Sequence, residues 1–93
     1  MQYYLDTCRA DDIPKIKSGL ENSRKIRFRK EPNPTPDLEK YIACHGMRDG
    51  TYLEIEFYHR TITINSNQSH ERLSPLVRKI HETVGGYLHS RHN

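Results

Sequence analysis

Thr51-Tyr52-Leu53-Glu54-Ile55-Glu56-Phe57-Tyr58-His59-Arg60-Thr61-Ile62-Thr63-Ile64-Asn65-Ser66 alternates apolar and polar side chains twice, with a change of parity in the middle. Leu53, Ile55 and Phe57 are odd-numbered, whereas Ile62 and Ile64 are even-numbered. Because side chains on a strand alternate faces with a period of two, one continuous strand cannot keep all five on one side without a bulge. A two-residue turn at His59-Arg60 resolves the conflict, pairing Phe57 with Ile62 and Ile55 with Ile64 on a common face. His-Arg is not a favoured sequence for such a turn, which usually takes Asn-Gly or Asp-Gly. A four-residue loop keeps the same register, so the pairing is the firmer expectation.

Working towards the N-terminus, Met47-Arg48-Asp49-Gly50 reads as the turn leading into the hairpin. Before it, Thr35, Pro36 and Asp37 resemble a helix start, with Thr35 as N-cap and Pro36 in the first position. Leu38, Tyr41 and Ile42 would share one face of that helix, and Gly46 would stop it. The three alternating prolines of Glu31-Pro32-Asn33-Pro34-Thr35-Pro36 make this segment a loop. Residues 24–30, Arg-Lys-Ile-Arg-Phe-Arg-Lys, read as a half-buried strand with Ile26 and Phe28 inward and Lys25, Arg27 and Arg29 outward. Ile13, Ile16 and Leu20 predict a helix over about 12–22, and residues 2–8 a short strand. Towards the C-terminus, Ser74-Pro75 reads as N-cap and first position of a helix whose buried stripe is Leu76, Val77, Ile80 and Val84. Gly85-Gly86 should end it, leaving Tyr87 and Leu88 as a last apolar contact before a polar tail.

The expected order is therefore β-α-β-α-β-β-α in one α+β domain, with a four-stranded sheet and the helices packed on one face. The opposite face would carry Lys25, Arg27, Arg29, Tyr52, Tyr58 and the two hairpin glutamates. A chain of 93 residues suits a single domain spanning 1–93. Its core is lean, with Leu, Ile, Val and Phe supplying 19 residues. Disorder would also need a large net charge, and 15 basic residues nearly balance 12 acidic ones. A lean core suggests support from a partner or from a second copy in a homo-oligomer.

Met1-Gln2-Tyr3-Tyr4-Leu5-Asp6 lacks the basic-then-apolar pattern of a secretory signal, and no apolar run nears the roughly 20 residues of a membrane span. Cys8 and Cys44 allow at most one disulfide, too few for a stapled secreted scaffold. These features point to free thiols and the cytoplasm, with no membrane partner.

Charge is the most localised feature. Arg24, Lys25, Arg27, Arg29 and Lys30 occupy five of seven consecutive positions, and the remainder of the chain carries 10 positive against 12 negative charges. Such a cluster steers anionic partners, and arginine offers a fork matched to phosphate or carboxylate. With Tyr52, Tyr58 and Arg60 nearby, an open basic sheet face resembles the way single-stranded nucleic acid is held, by stacking plus backbone neutralisation. Against nucleic acid stand Glu54 and Glu56 on the same expected face and a net charge of only +3. The plainer reading of the cluster is an edge strand defended by charge against edge-to-edge association.

Catalytic patterns are sparse. His59-Arg60-Thr61 has a His-x-Thr spacing that suits phosphoester chemistry, but that chemistry needs a second such copy as acid to the first one's base, and none is present. Cys44-His45 is adjacent rather than spaced, His89 and His92 are three apart but follow a Gly-Gly pair that argues against a shared helix face, and no Cys-x-x-Cys or His-Glu-x-x-His occurs. No phosphate-cradling glycine loop or Gly-x-Ser-x-Gly elbow is present. The expectation is a non-catalytic binding or regulatory domain, without metal or cofactor. It would contact an anionic macromolecule, nucleic acid or an acidic protein surface, through residues 24–30. An inhibitor or adaptor using another surface, and a small nuclease or phosphoesterase using His59 and Arg60, are the alternatives.

Overall fold

The computed structural model describes residues 1–23, 25–45 and 50–91. Strands β1 (Gln2–Asp6), β2 (Arg27–Glu31), β3 (Leu38–His45), β4 (Leu53–Tyr58), β5 (Thr61–Ser66) and β6 (Tyr87–Arg91) form one sheet. Helix α1 (Ile13–Glu21), entered through a 3-10 turn at Ala10–Asp12, lies between β1 and β2, and α2 (His70–Val84) between β5 and β6. The strand order is β2-β3-β4-β5-β1-β6, every neighbouring pair antiparallel.

The hairpin holds in the register its parity requires, with Phe57 opposite Ile62 and Ile55 opposite Ile64. His59 takes a positive φ of 53° and Arg60 does not, the pattern of a II′ rather than a I′ turn. Directly paired residues share a face, so the register places Tyr3, Leu5, Tyr41, Leu53, Ile55, Phe57, Ile62 and Ile64 on one side of the sheet. These join Ile13 and Leu20 of α1 and Leu73, Val77, Ile80 and Val84 of α2 in a single core. Both helices thus cover the same face. The opposite face carries Tyr4, Arg29, Glu31, Lys40, Glu54, Glu56, Tyr58, Thr63 and His89, and among the described residues no helix packs on it.

The four-stranded sheet expected from sequence is corrected to six strands. Residues 38–45 form β3, not a helix, between β2 and β4. Asp37 adopts φ 63°, a left-handed conformation that breaks a helix in its first turn. Asn33 accepts a hydrogen bond from the Thr35 amide at 2.8 Å, so the proline loop closes as an Asx turn. The deciding force is pairing: β3 satisfies the backbone edges of both β2 and β4, which a helix there would leave open. Gly46 and the turn at residues 47–49 lie outside the described residues.

The second correction is the tail. Residues 87–91 form β6, paired with β1 from Gln2↔Arg91 to Asp6↔Tyr87. Gly85 and Gly86 turn the chain out of α2 with φ of 68° and 84°. Helix α2 itself begins at His70, with Ser69 as N-cap, and Pro75 lies inside it. Leu73 is fully buried, so extending the apolar stripe upstream outweighs the hydrogen bond that Pro75 cannot donate. Strand β2 begins at Arg27 with a register shift between Arg27 and Phe28, leaving Lys25 and Ile26 in a bend ahead of it.

Among the described residues no helix is long and apolar enough to cross a membrane. Cys8 is buried and Cys44 exposed, and both thiols are free.

Candidate basic groove

The eight residues singled out for an anionic partner do not end on one surface. Arg24 lies outside the described residues. Arg29 projects from the open sheet face, where its Nη2 sits 2.5 Å from Glu31 Oε1. Lys30 points the other way, because it pairs with inward-facing Tyr41, and its Nζ lies 3.3 Å from Glu39 Oε1. Glu39 also holds Lys17 of α1 at 2.7 Å, and that ammonium is the chief cause of a Glu39 pKa below the ordinary carboxylate value. Arg60 is structural. Its Nε donates to the Cys8 carbonyl at 2.9 Å, while the Cys8 amide donates to the Arg60 carbonyl at the same distance, tying the hairpin to the end of β1.

Tyr52 and Tyr58 are the exposed tyrosines of the hairpin, but neither is a free stacking platform. The Tyr52 hydroxyl donates to Glu54, and Tyr58 packs edge-on against His59 with ring centroids 4.3 Å apart. Burial first, then the hydrogen bond to Glu54, pushes the Tyr52 hydroxyl up to about 12. Lys40 bridges Glu54 at 3.0 Å and Glu56 at 3.4 Å. Around Arg29 and Lys40 the open face thus offers three carboxylates to two cations, a poor match for a polyanion.

Glu54 and Glu56 titrate in opposite directions. Burial alone would raise Glu54, but hydrogen bonds from Glu56, Tyr52 and Lys40 carry it below the usual carboxylate value. Glu56 is raised, first by its hydrogen bond to Glu54 and then by burial. A raised folded-state pKa means that the ionised form opposes folding, so protonating Glu56 on acidification adds stability. Glu54 and Glu39, held low, contribute stability above the unfolded carboxylate pKa that is lost as pH falls through their folded values. Thermal stability should therefore rise as pH falls through the raised folded-state value of Glu56, and then fall as Glu54 and Glu39 are protonated. In Glu56→Gln the rise should vanish and the fall remain; an unchanged rise in that variant would refute the assignment.

The remaining basic residues meet elsewhere. Lys25, in the bend before β2, joins Ser23, Ile26 and Phe28 as one wall of a groove of about 320 Å³. Helix α1 supplies Lys15, Ile16, Gly19 and Leu20, and α2 supplies Leu76, Lys79, Ile80 and Thr83. The groove exists because Ile26 falls before the register shift of β2 and lies beside the helices rather than in the sheet. Among the described residues Lys25, Arg27 and Lys79 have no carboxylate within 4.0 Å, and Lys15 reaches Asp12 only at that limit. Among the described residues no acidic side chain lines the groove. Sequence reasoning singled out Lys25 here and missed Lys15 and Lys79. Those two are isolated charges on separate helices, and their meeting depends on how α1 and α2 pack.

His59 lies at a second, smaller cleft of about 250 Å³ with Lys17, Asp37 and Glu39. Its positive φ is the conformation that histidine tolerates in tight turns. Among the described residues no three His, Cys, Asp or Glu side chains are placed to hold a metal ion. The chain has no significant match among protein-family models, curated proteins or solved structures.

Proposed function

We propose that this chain is a non-catalytic binding domain, regulatory in role, that engages an anionic partner at the lysine-rimmed groove between α1, α2 and the approach to β2. The observation that carries this reading is the convergence of Lys15, Lys25 and Lys79 around a groove that, among the described residues, no acidic residue lines. Cations that outnumber the carboxylates beside them direct their field outwards, where it raises encounter rates with negative charge. Arg29 and Lys30, held by Glu31 and Glu39, contribute less.

The test is anisotropy titration of fluorescent polyglutamate and oligothymidylate probes between about 50 and 200 mM salt, the range over which phosphate-type contacts weaken steeply. At least one probe should bind with salt-sensitive affinity. Lys25→Glu with Lys79→Glu should weaken that binding by about 10- to 100-fold, since each reversal replaces an attraction with a repulsion of up to about 1 kcal/mol. Arg29→Glu should cost less than about threefold by the same measure. Unchanged affinity in the double variant, or no binding by either probe, overturns the reading.

A further inference from the structure

The floor of the groove says more about the partner than its rim does. Ile16, Leu20, Ile26, Phe28, Leu76 and Ile80 make it predominantly apolar, with the lysines placed around it. A nucleic-acid backbone would gain nothing from aliphatic walls, and no aromatic ring other than Phe28 is available there for base stacking. An amphipathic protein segment matches both parts, with apolar anchors for the floor and carboxylates for the rim, the helix-in-groove mode of recognition.

A second observation concerns Gly19. It stands in the interior of α1, where glycine is less favourable than alanine, and its φ is an ordinary one. Among the described residues, no atom beyond its chain neighbours and the backbone of its own helix lies within 4 Å of the point where a Cβ would stand. The fold therefore does not require glycine here. Its effect is to leave the backbone of α1 bare along the groove wall, open to close approach by another chain.

Resting on the binding role proposed above, we infer that the groove receives an acidic amphipathic helix of a partner protein, with its apolar face on Ile16, Leu20, Ile26 and Ile80 and its carboxylates towards Lys15, Lys25 and Lys79. The occupant is committed by charge complementarity around an apolar floor.

Three probes test it against the full chain. The first is a 14-residue peptide, about 21 Å long as a helix, with Leu at i, i+3, i+4 and i+7 and Glu at most other positions. The second has the same composition scrambled to abolish the apolar face, and the third is oligothymidylate. The ordered peptide should bind at least about tenfold more tightly than the scrambled one, the difference expected from a single well-buried apolar anchor. Gly19→Leu should remove that preference by filling the groove, while the melting temperature stays unchanged or rises because the helix gains a better former. Equal binding of both peptides, still abolished by Lys25→Glu with Lys79→Glu, would sink the helix inference and leave the anionic-partner role standing. Preference for oligothymidylate would do the same. Gly19→Leu binding as tightly as the parent at full stability would overturn the groove as the docking site.

Discussion

Gly86→Ala should remove a large share of the domain's stability. A Cβ at position 86 would overlap the Asp6 carbonyl oxygen and stand 3.3 Å from both the Asp6 carbonyl carbon and the Cys8 amide nitrogen. These are backbone atoms of β1 and its exit, so they cannot swing aside as a flexible side chain would. The residue also takes φ 84°, which an L side chain rarely adopts. Relief of the overlap requires β6 to move off β1, with loss of the pairing from Gln2 to Asp6. Strain at such a φ costs about 1–3 kcal/mol, and a loss of about 3–5 kcal/mol follows once the pairing is disturbed. A domain of this size holds about 5–14 kcal/mol in total. Chemical denaturation should show a large fall in midpoint, and hydrogen exchange should show deprotection across β6 and β1. Gly19→Ala is the internal control. Among the described residues its Cβ meets no atom beyond its chain neighbours and its own helix backbone, and it should be neutral or stabilising by up to about 1 kcal/mol. A Gly86→Ala protein as stable as the parent would mean that β6 does not turn back onto β1 at this point.

Tyr41→Ala should be the second severe change, at about 3–5 kcal/mol. Tyr41 is almost wholly inaccessible, meets the Phe57 ring edge-on at a centroid distance of 5.7 Å, and sits opposite Ile55 in the sheet. Removal of the ring leaves a cavity between β3, β4 and α1 that a six-stranded sheet cannot collapse without shifting a strand. The hydroxyl donates to Glu21 Oε1 at 3.2 Å, joining β3 to the last residue of α1. Burial, followed by the neighbouring Glu39 and Glu21 charges, pushes that hydroxyl's pKa well up, so it stays protonated and remains a donor throughout the ordinary pH range. Tyr41→Phe keeps the ring and should cost only about 1 kcal/mol, the usual net worth of one hydrogen bond. Equal losses for Tyr41→Phe and Tyr41→Ala, measured by urea denaturation, would show that the hydroxyl and not the ring holds β3 in place.

The hairpin was legible because its information is local. A period of two, interrupted once, leaves a single register that buries Ile55, Phe57, Ile62 and Ile64 together. The apolar spacing of α1 and of the later part of α2 was legible for the same reason, and so was the α+β class. Residues 38–45 were misread because Leu38, Tyr41 and Ile42 satisfy a helical spacing, while Glu39, Tyr41 and Ala43 equally satisfy a strand whose inner face is partly polar. An ammonium from another element, Lys17, makes an inward glutamate acceptable at position 39. Residues 87–91 carry almost no apolar pattern and form a strand because β1 offers them an open edge.

By itself the amino-acid sequence determined an α+β chain with one certain hairpin, a lean apolar core and a basic stretch before the proline loop, since each rests on neighbours along the chain. Only the tertiary structure decided that the sheet has six strands, that Arg29 and Lys30 are engaged by Glu31 and Glu39, and that Lys25 shares a groove with Lys15 and Lys79. Strand partners and charge partners are chosen between segments far apart in the sequence. The unpaired backbone edges and buried carboxylates that force those choices exist only after the chain has packed.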